Sequence, residues 1–177
     1  MMEFFEKIIA FLNKYEIPYM LSGSVAMSLY VVPRATGDFD FIVHLQPRDI
    51  DSLVENFEEG YYCDKEAIQD AVLNQSMFNI IDHASGFKAD FVVLKDDPFR
   101  QKEFTRRIAM EFFGKTIYVV SPEDLIISKL IWIQDLQSAV QMEDIKNLVL
   151  SDNLDWAYID FWIGKLRLNS FNLLKHE

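Results

Sequence analysis

Residues 37–43 read GDFDFIV, two aspartates one residue apart in a run that is otherwise apolar. Side chains alternate along a strand, so Asp38 and Asp40 share one face while Phe39, Phe41, Val43 and Leu45 share the other. The second face belongs in a core. The first carries two carboxylates whose like charges raise one another's pKa unless a cation sits between them, and magnesium is a hard, oxygen-seeking cation that suits such a pair. Solvated carboxylates on an edge strand produce the same pattern, so the neighbouring segments must decide.

Upstream, PYMLSGS (18–24) reads as a short buried strand ending in a turn at Gly23 and Ser24, and VAMSLYVV (25–32) as a short helix entered from that turn. Backbone N–H groups and a hydroxyl at a strand-to-helix corner can hold phosphate oxygens. Downstream, FKADFVVL (87–94) is an apolar strand with Asp90, Val92 and Leu94 on one face and Ala89, Phe91 and Val93 on the other. If it lies beside GDFDFIV with the acidic faces aligned, three carboxylates converge. A triad holding two metal ions could activate a hydroxyl and stabilise the leaving oxygen of an in-line phosphoryl displacement.

The remaining pattern builds a frame around these strands. Phe4, Phe5, Ile8, Ile9, Phe11, Leu12 and Tyr15 recur at helical spacing, ending before Pro18. Ile50, Leu53, Val54 and Phe57 mark another amphipathic helix, followed by a looser stretch over 60–75 with a helix at EAIQDAVLN. SMFNIID (76–82) and FKADFVVL, joined by HASG, read as an antiparallel hairpin. DPFRQKEFTRRIAMEFFG (97–114) reads as helix and KTIYVV (115–120) as strand. Ser121 and Pro122 open the next helix as N-cap and first residue, with Asp124 at the acidic capping position. The expected class is α+β: a central mixed sheet of about four to five strands flanked by helices. Residues 1–120 form the core and 121–177 a helical C-terminal part packed on it as one structural unit.

Length and charge narrow the field. A chain of 177 residues with 15 Phe, 7 Tyr and 3 Trp is long enough for one well-filled domain. The formal net charge of −11 repels polyanions and leaves no general footprint for nucleic acid. The single cysteine, Cys63, has no partner for an internal disulfide and reads as a small apolar residue. The N-terminal stretch mixes Glu and Lys into its apolar residues, unlike a secretion signal, and LIISKLIWI (125–133) is too short to span a bilayer. A cytoplasmic location is expected.

The order of helix, strand ending in Gly-Ser, helix, PRATGDFDFIV (33–43) and a later strand bearing Asp90 resembles the nucleotidyltransferase superfamily that shares its fold with DNA polymerase β. More narrowly, PRATGDFDFIV together with SPEDLIISKLIW (121–132) and QMEDIKNLV (141–149) is similar to small bacterial nucleotidyltransferases related to abortive-infection toxins and to aminoglycoside and lincosamide adenylyltransferases. The likeness covers roughly residues 3–150. It implies a magnesium-dependent enzyme that moves a nucleoside monophosphate from a nucleoside triphosphate to an acceptor hydroxyl. Gly23 and Ser24 would contact the triphosphate, Asp38 and Asp40 would ligate two Mg2+ ions, and Asp90 would ligate one of them and act as general base. In such relatives the helix of Lys129 presents a lysine to the active site, with Asp144 as its acidic partner. Two departures stand out: thirteen residues separate Ser24 from Asp38, and SAVQMEDI (138–145) lacks the basic residue these relatives often carry before the acidic pair. The alternative is a catalytically degenerate member acting as a binding module or toxin–antitoxin partner. The acidic chain favours a small or cationic acceptor over tRNA; a homodimer or a partner protein stays open.

Other residues carry two readings each. Arg34 suits a phosphate or a surface ion pair, and Thr36 suits a turn. Lys129, on a helix that is apolar nearly all round, must reach solvent or meet an anion. Asp144 by itself reads as a solvated helix-face carboxylate, and Lys88 as a neutraliser of Asp90. His44 reads as a strand-edge residue, and His83 and His176 as loop and tail residues. Arg100, Arg106 and Arg107 read as a solvated basic helix face, or otherwise as a contact for a nucleic-acid acceptor. The aromatic stripe of DWAYIDFWIGKLRL (155–168) has the spacing of packing or a subunit contact.

Overall fold

The apolar face of residues 37–43 lies under the first helix. In the computed structural model, which describes residues 1–174, strand β2 (Asp38–Val43) presents Phe39 and Phe41 to helix α1 (Met2–Lys14). The Phe4 ring meets Phe39 edge-on at 6.2 Å, and Phe5 lies 5.1 Å from Phe39 and 6.0 Å from Phe41. Aromatic pairs of this kind each add about 0.5–1.5 kcal/mol beyond the area they bury, so this seam fixes which face of β2 is core.

β2 is central. On one side it pairs antiparallel with β1 (Tyr19–Ser22), and on the other it pairs parallel with β5 (Lys88–Val93). Outward from β5 lies β4 (Met77–Asp82), antiparallel to it across the expected hairpin, and then β3 (Tyr61–Cys63). Outward from β1 lies β7 (Lys115–Val119), parallel to it, and then β6 (Ile108–Phe112). The sheet order is β3-β4-β5-β2-β1-β7-β6, seven strands where the sequence pattern suggests about four to five.

The two extra strands have different origins. β3 falls in the stretch read as loose; three residues are too few to show a period. β6 falls in a segment read as helix, which instead stops after α5 (Pro98–Thr105), capped by Asp97 through Phe99 N and Arg100 N. The reversal from β6 to β7 is made by Phe113 at φ 48° and Gly114 at φ 72°. Positive φ at both central residues matches the twist of a tight hairpin, but Phe is an unusual residue to put there, so the turn is hard to see.

Around the sheet run α2 (Gly23–Met27), a 3-10 turn at Pro47–Asp49, α3 (Ile50–Asn56), α4 (Lys65–Asn74), α6 (Pro122–Asp135), α7 (Ala139–Leu148) and α8 (Trp156–Leu166). Helix α6 starts as expected, with the Ser121 side chain accepting from Asp124 N and Pro122 in the first turn. Ile126, Leu130 and Ile133 of α6, Ile145 and Leu148 of α7, and Ile159 of α8 belong to the same continuous core as the strands. Among the described residues no helix is long and apolar enough to cross a membrane.

Candidate active site

The register of β2 against β5 places Asp40 directly beside Asp90 and Asp38 beside Lys88. On β1, Ser22 stands opposite Asp40. The face turned away from α1 therefore carries three carboxylates and one ammonium, because three neighbouring strands each point polar residues the same way. Thr36 Oγ1 donates to Asp38 Oδ1 at 2.6 Å, and Lys88 Nζ donates to Asp90 Oδ2 at 2.6 Å. Asp90 Oδ1 is buried without a hydrogen-bond partner. Burial pushes the Asp40 carboxyl up to about 6, with the charges of Asp38 and Asp90 adding to the effect and Lys129 and Lys88 opposing it.

Gly23 explains how Asp40 fits. Its φ of +63° suits glycine, and a Cβ built there would fall 1.8 Å from Asp40 Oδ2. The corner after β1 is thus packed onto the Asp40 carboxylate, and α2 begins at Gly23 itself rather than after Ser24. Next to this corner, Arg34 Nη2 donates to Ser24 Oγ. The same guanidinium forks onto Asp144, Nε to Oδ1 at 3.0 Å and Nη2 to Oδ2 at 3.1 Å. Lys129 Nζ donates to Asp144 Oδ2 and to Gln141 Oε1, both at 2.8 Å. Asp144 is 2% exposed and lies between two cations. Burial alone would raise its carboxyl, but hydrogen bonds from Arg34 and Lys129 hold it below the ordinary carboxylate value.

The seven residues singled out from the sequence fall into two groups that touch. Asp38, Asp40 and Asp90 share a sheet face, Gly23 abuts Asp40, and Ser24, Arg34 and Lys129 are joined through Asp144. Asp144 is not the solvated helix-face carboxylate that its surroundings in the sequence suggest. Lys129, read as either snorkelling or meeting an anion, meets that anion. Gln141 carries no motif signal of its own; its one clue in the sequence is its position three residues before Asp144 on the same helix.

Three arginines leave the expected picture. Arg100 pairs with the fully buried Glu103 at 2.9 Å and with Ser128. Arg106 pairs with Asp124 at 3.0 Å, where Tyr158 also donates at 2.6 Å. Arg107 donates to Phe104 O and lies over the Phe104 ring. Arg100 and Arg106 fasten α5, α6 and α8 together, and Arg107 lies between the Phe104 ring and Tyr118 of β7, instead of forming a solvated basic face. The desolvated acids they answer, Glu103 and Asp124, sit in helices whose sequence gives no sign of how deeply they are buried. His44 and His83 are exposed and lie apart from the site's hydrogen bonds, and His176 lies outside the described residues.

Among the described residues no three His, Cys, Asp or Glu side chains converge closely enough to hold a metal ion unaided. The donor chemistry nevertheless fits a hard divalent cation: two adjacent carboxylates, one with a raised pKa and one with a bare buried oxygen. Magnesium is ordinarily held by one or two carboxylates together with substrate phosphates and water, so a complete protein cage is not required.

The model of a family described as nucleotidyltransferase of unknown function (DUF6036) matches residues 1–172. No curated protein matches the chain. Among solved structures, the chain is similar to ANT(2")-Ia in complex with adenylyl-2"-tobramycin, with TM-score 0.62, 14% identity, and coverage of 93% of this chain and 95% of that one. It is also similar to the lincomycin-bound lincosamide antibiotic adenylyltransferase LnuA, with TM-score 0.55, 13% identity, and coverage of 80% and 91%. A third likeness is to an antigenic nucleotidyltransferase-like protein from Paracoccidioides brasiliensis, with TM-score 0.54, 15% identity, and coverage of 90% and 84%. At these identities the likenesses establish a shared fold.

Proposed function

The chain belongs to this nucleotidyltransferase family, and from that premise we propose that it transfers a nucleoside monophosphate from a nucleoside triphosphate to a hydroxyl of a small acceptor. The observation that carries the reading is the in-register pairing of Asp40 with Asp90, with Asp38 on the same face. Asp38, Asp40 and Asp90 would hold Mg2+, which when bound neutralises the phosphate charge and polarises the phosphorus–oxygen bonds.

The chain's own groups supply the rest. Ser24 Oγ already accepts from Arg34, so its hydroxyl proton is available to a phosphate oxygen. Arg34 and Lys129, fixed by one buried carboxylate, bring positive charge to the triphosphate end of the site. The Asp90 carboxylate, steadied by Lys88, would take the proton of the acceptor hydroxyl. A bond forms between that acceptor oxygen and the α-phosphorus, the bond to the bridging oxygen breaks, and pyrophosphate leaves with the electron pair. A net charge of −11 disfavours a polyanionic acceptor. The small-molecule acceptors named for ANT(2")-Ia and LnuA support the same choice. A cytoplasmic location is consistent with the chain's composition.

The test is incubation with each α-labelled nucleoside triphosphate, Mg2+ and a panel of hydroxylated small molecules that includes tobramycin and lincomycin. The expected result is a labelled product with equimolar pyrophosphate, lost in Asp90→Asn. Product formation undiminished in that variant would remove Asp90 as base, and no pyrophosphate from any nucleotide would overturn transfer itself.

One observation favours a second reading, a non-catalytic binding module: the Lys88 ammonium lies 2.6 Å from Asp90 and offsets its charge. Under that reading Lys88→Met leaves nucleotide affinity unchanged because none exists, whereas a transferase gains or loses affinity with the change in local charge.

A further inference from the structure

Lys88 stands where a two-ion site would place positive charge. The register sets it beside Asp38, on the face that carries Asp40 and Asp90, and its Nζ donates to Asp90 Oδ2 at 2.6 Å. The other oxygen of that carboxylate, Oδ1, is buried, and Asp90 as a whole is 7% exposed. An ion shared between Asp40 and Asp90 needs an accessible oxygen of Asp90, and Oδ2 is the one that carries the ammonium. Asp38 and Asp40 differ: among the described residues neither forms an ion pair with a lysine, an arginine or a histidine.

The charges lead to the same place. Three carboxylates and one ammonium leave two negative charges, which a single divalent ion balances. A second ion would be held against both the first ion and the ammonium, and like charges repel more strongly in a half-buried site than in water. We propose that Lys88 takes the place of a second metal ion, so that the nucleotide-bound protein holds one divalent cation, on Asp38 and Asp40, with the Lys88 ammonium beside Asp90. This rests on the nucleotidyltransferase reading above and narrows it, giving the triphosphate side to an ion and the acceptor side to a side chain. The hydrogen bond to Asp90 raises the Lys88 pKa above its ordinary value, against burial and with the charges of Asp90, Asp38 and Asp40 adding, so the ammonium keeps its proton. An ammonium has several N–H donors, and those not spent on Asp90 can meet an oxygen of the substrate. It offers no coordination position to activate a hydroxyl, which leaves the acceptor proton to Asp90.

The test counts bound ions. Wild type, Lys88→Met and Lys88→Arg are saturated in turn with the α,β-methylene analogues of ATP, GTP, CTP and UTP and titrated with Mn2+, free Mn2+ being read by electron paramagnetic resonance. Ions bound by Asp38→Ala under the same conditions are subtracted as surface background. The Lys88 side chain is 39% exposed, so neither substitution disturbs the core. The expected result is one Mn2+ per nucleotide-bound chain in wild type and Lys88→Arg, and two in Lys88→Met. Two ions in wild type, or none, would overturn the proposal while leaving nucleotide binding intact, as would one ion in Lys88→Met or two in Lys88→Arg. A wild type that binds no analogue removes the nucleotide reading and this inference with it.

Discussion

Asp40 stands where fold stability and chemistry oppose one another. Burial and two neighbouring carboxylates raise its pKa from 3.8 to about 6. The folded state therefore holds a proton there more tightly than the unfolded chain, and stability falls as pH rises through the interval from about 4 to about 6. Above it the full cost of the charge is present. Asp40→Asn, measured by urea unfolding in metal-free buffer at pH 7.5, is expected to be more stable than wild type by about 2 kcal/mol, with the gain vanishing near pH 4. A destabilised variant would mean that the carboxylate is already compensated. Asp144 has the opposite sign. Its carboxyl is held low by Arg34 and Lys129, so its contribution is complete above the ordinary carboxylate range and is lost as pH falls through its depressed pKa. Asp144→Asn strands two cations, one of them buried, and should lose about 3 kcal/mol at neutral pH. That deficit narrows as the pH is taken from 7 toward 3; a constant deficit would show that packing, not charge, sets it. From the sequence, Asp38, Asp40 and Asp90 can be placed because strand alternation separates them from Phe39, Phe41 and Phe91. Asp144 cannot, because its two cations come from separate elements, Lys129 on α6 and Arg34 in the connection before β2, 110 residues away in the chain.

Among elements, the strands with strong apolar faces are legible and the edges are not. β2 carries Phe39, Phe41 and Val43, and β5 carries Ala89, Phe91 and Val93, at alternate buried positions, and the hairpin from β4 to β5 carries a Ser-Gly reversal. β6 has mostly exposed or half-exposed residues and lacks an apolar face to announce it. Its turn puts Phe113 at φ 48° beside Gly114, a conformation costing a non-glycine residue about 1–2 kcal/mol. Phe113→Asn supplies the residue such turns prefer, and it should raise unfolding stability by about 0.5 kcal/mol even after losing the Phe112 ring contact. A lower midpoint in a thermal melt would show that the ring contact outweighs the backbone term. Helix α6 is legible at its start, from Ser121 and Pro122, but not in its environment. Its acidic first turn, Glu123 and Asp124, is buried against Arg106 and Tyr158, a pairing that only the docking of α5 and α8 creates.

For the molecule as a whole, an acidic chain is to bind a still more acidic ligand. A nucleoside triphosphate approaching a body of net charge −11 and three gathered aspartates is repelled unless a divalent cation joins the two. On the proposed reading nucleotide and metal bind together, so removing either Mg2+ or the Asp38 carboxylate should abolish the effect of the nucleotide. The division into a catalytic core over residues 1–120 and a helical part over 121–177 remains a proposal, with residues 175–177 outside those described. On this account the helical part is indispensable, because it supplies Lys129 and Asp144 to the site. The most direct test is thermal unfolding of wild type and Asp38→Ala with ATP, GTP, CTP and UTP, each with and without Mg2+. The account predicts that at least one nucleotide stabilises the wild type, by about 2.7 kcal/mol at a hundredfold excess over its Kd, only when Mg2+ is present, and leaves Asp38→Ala unmoved. A wild type indifferent to every nucleotide, or a variant that responds equally, would contradict it.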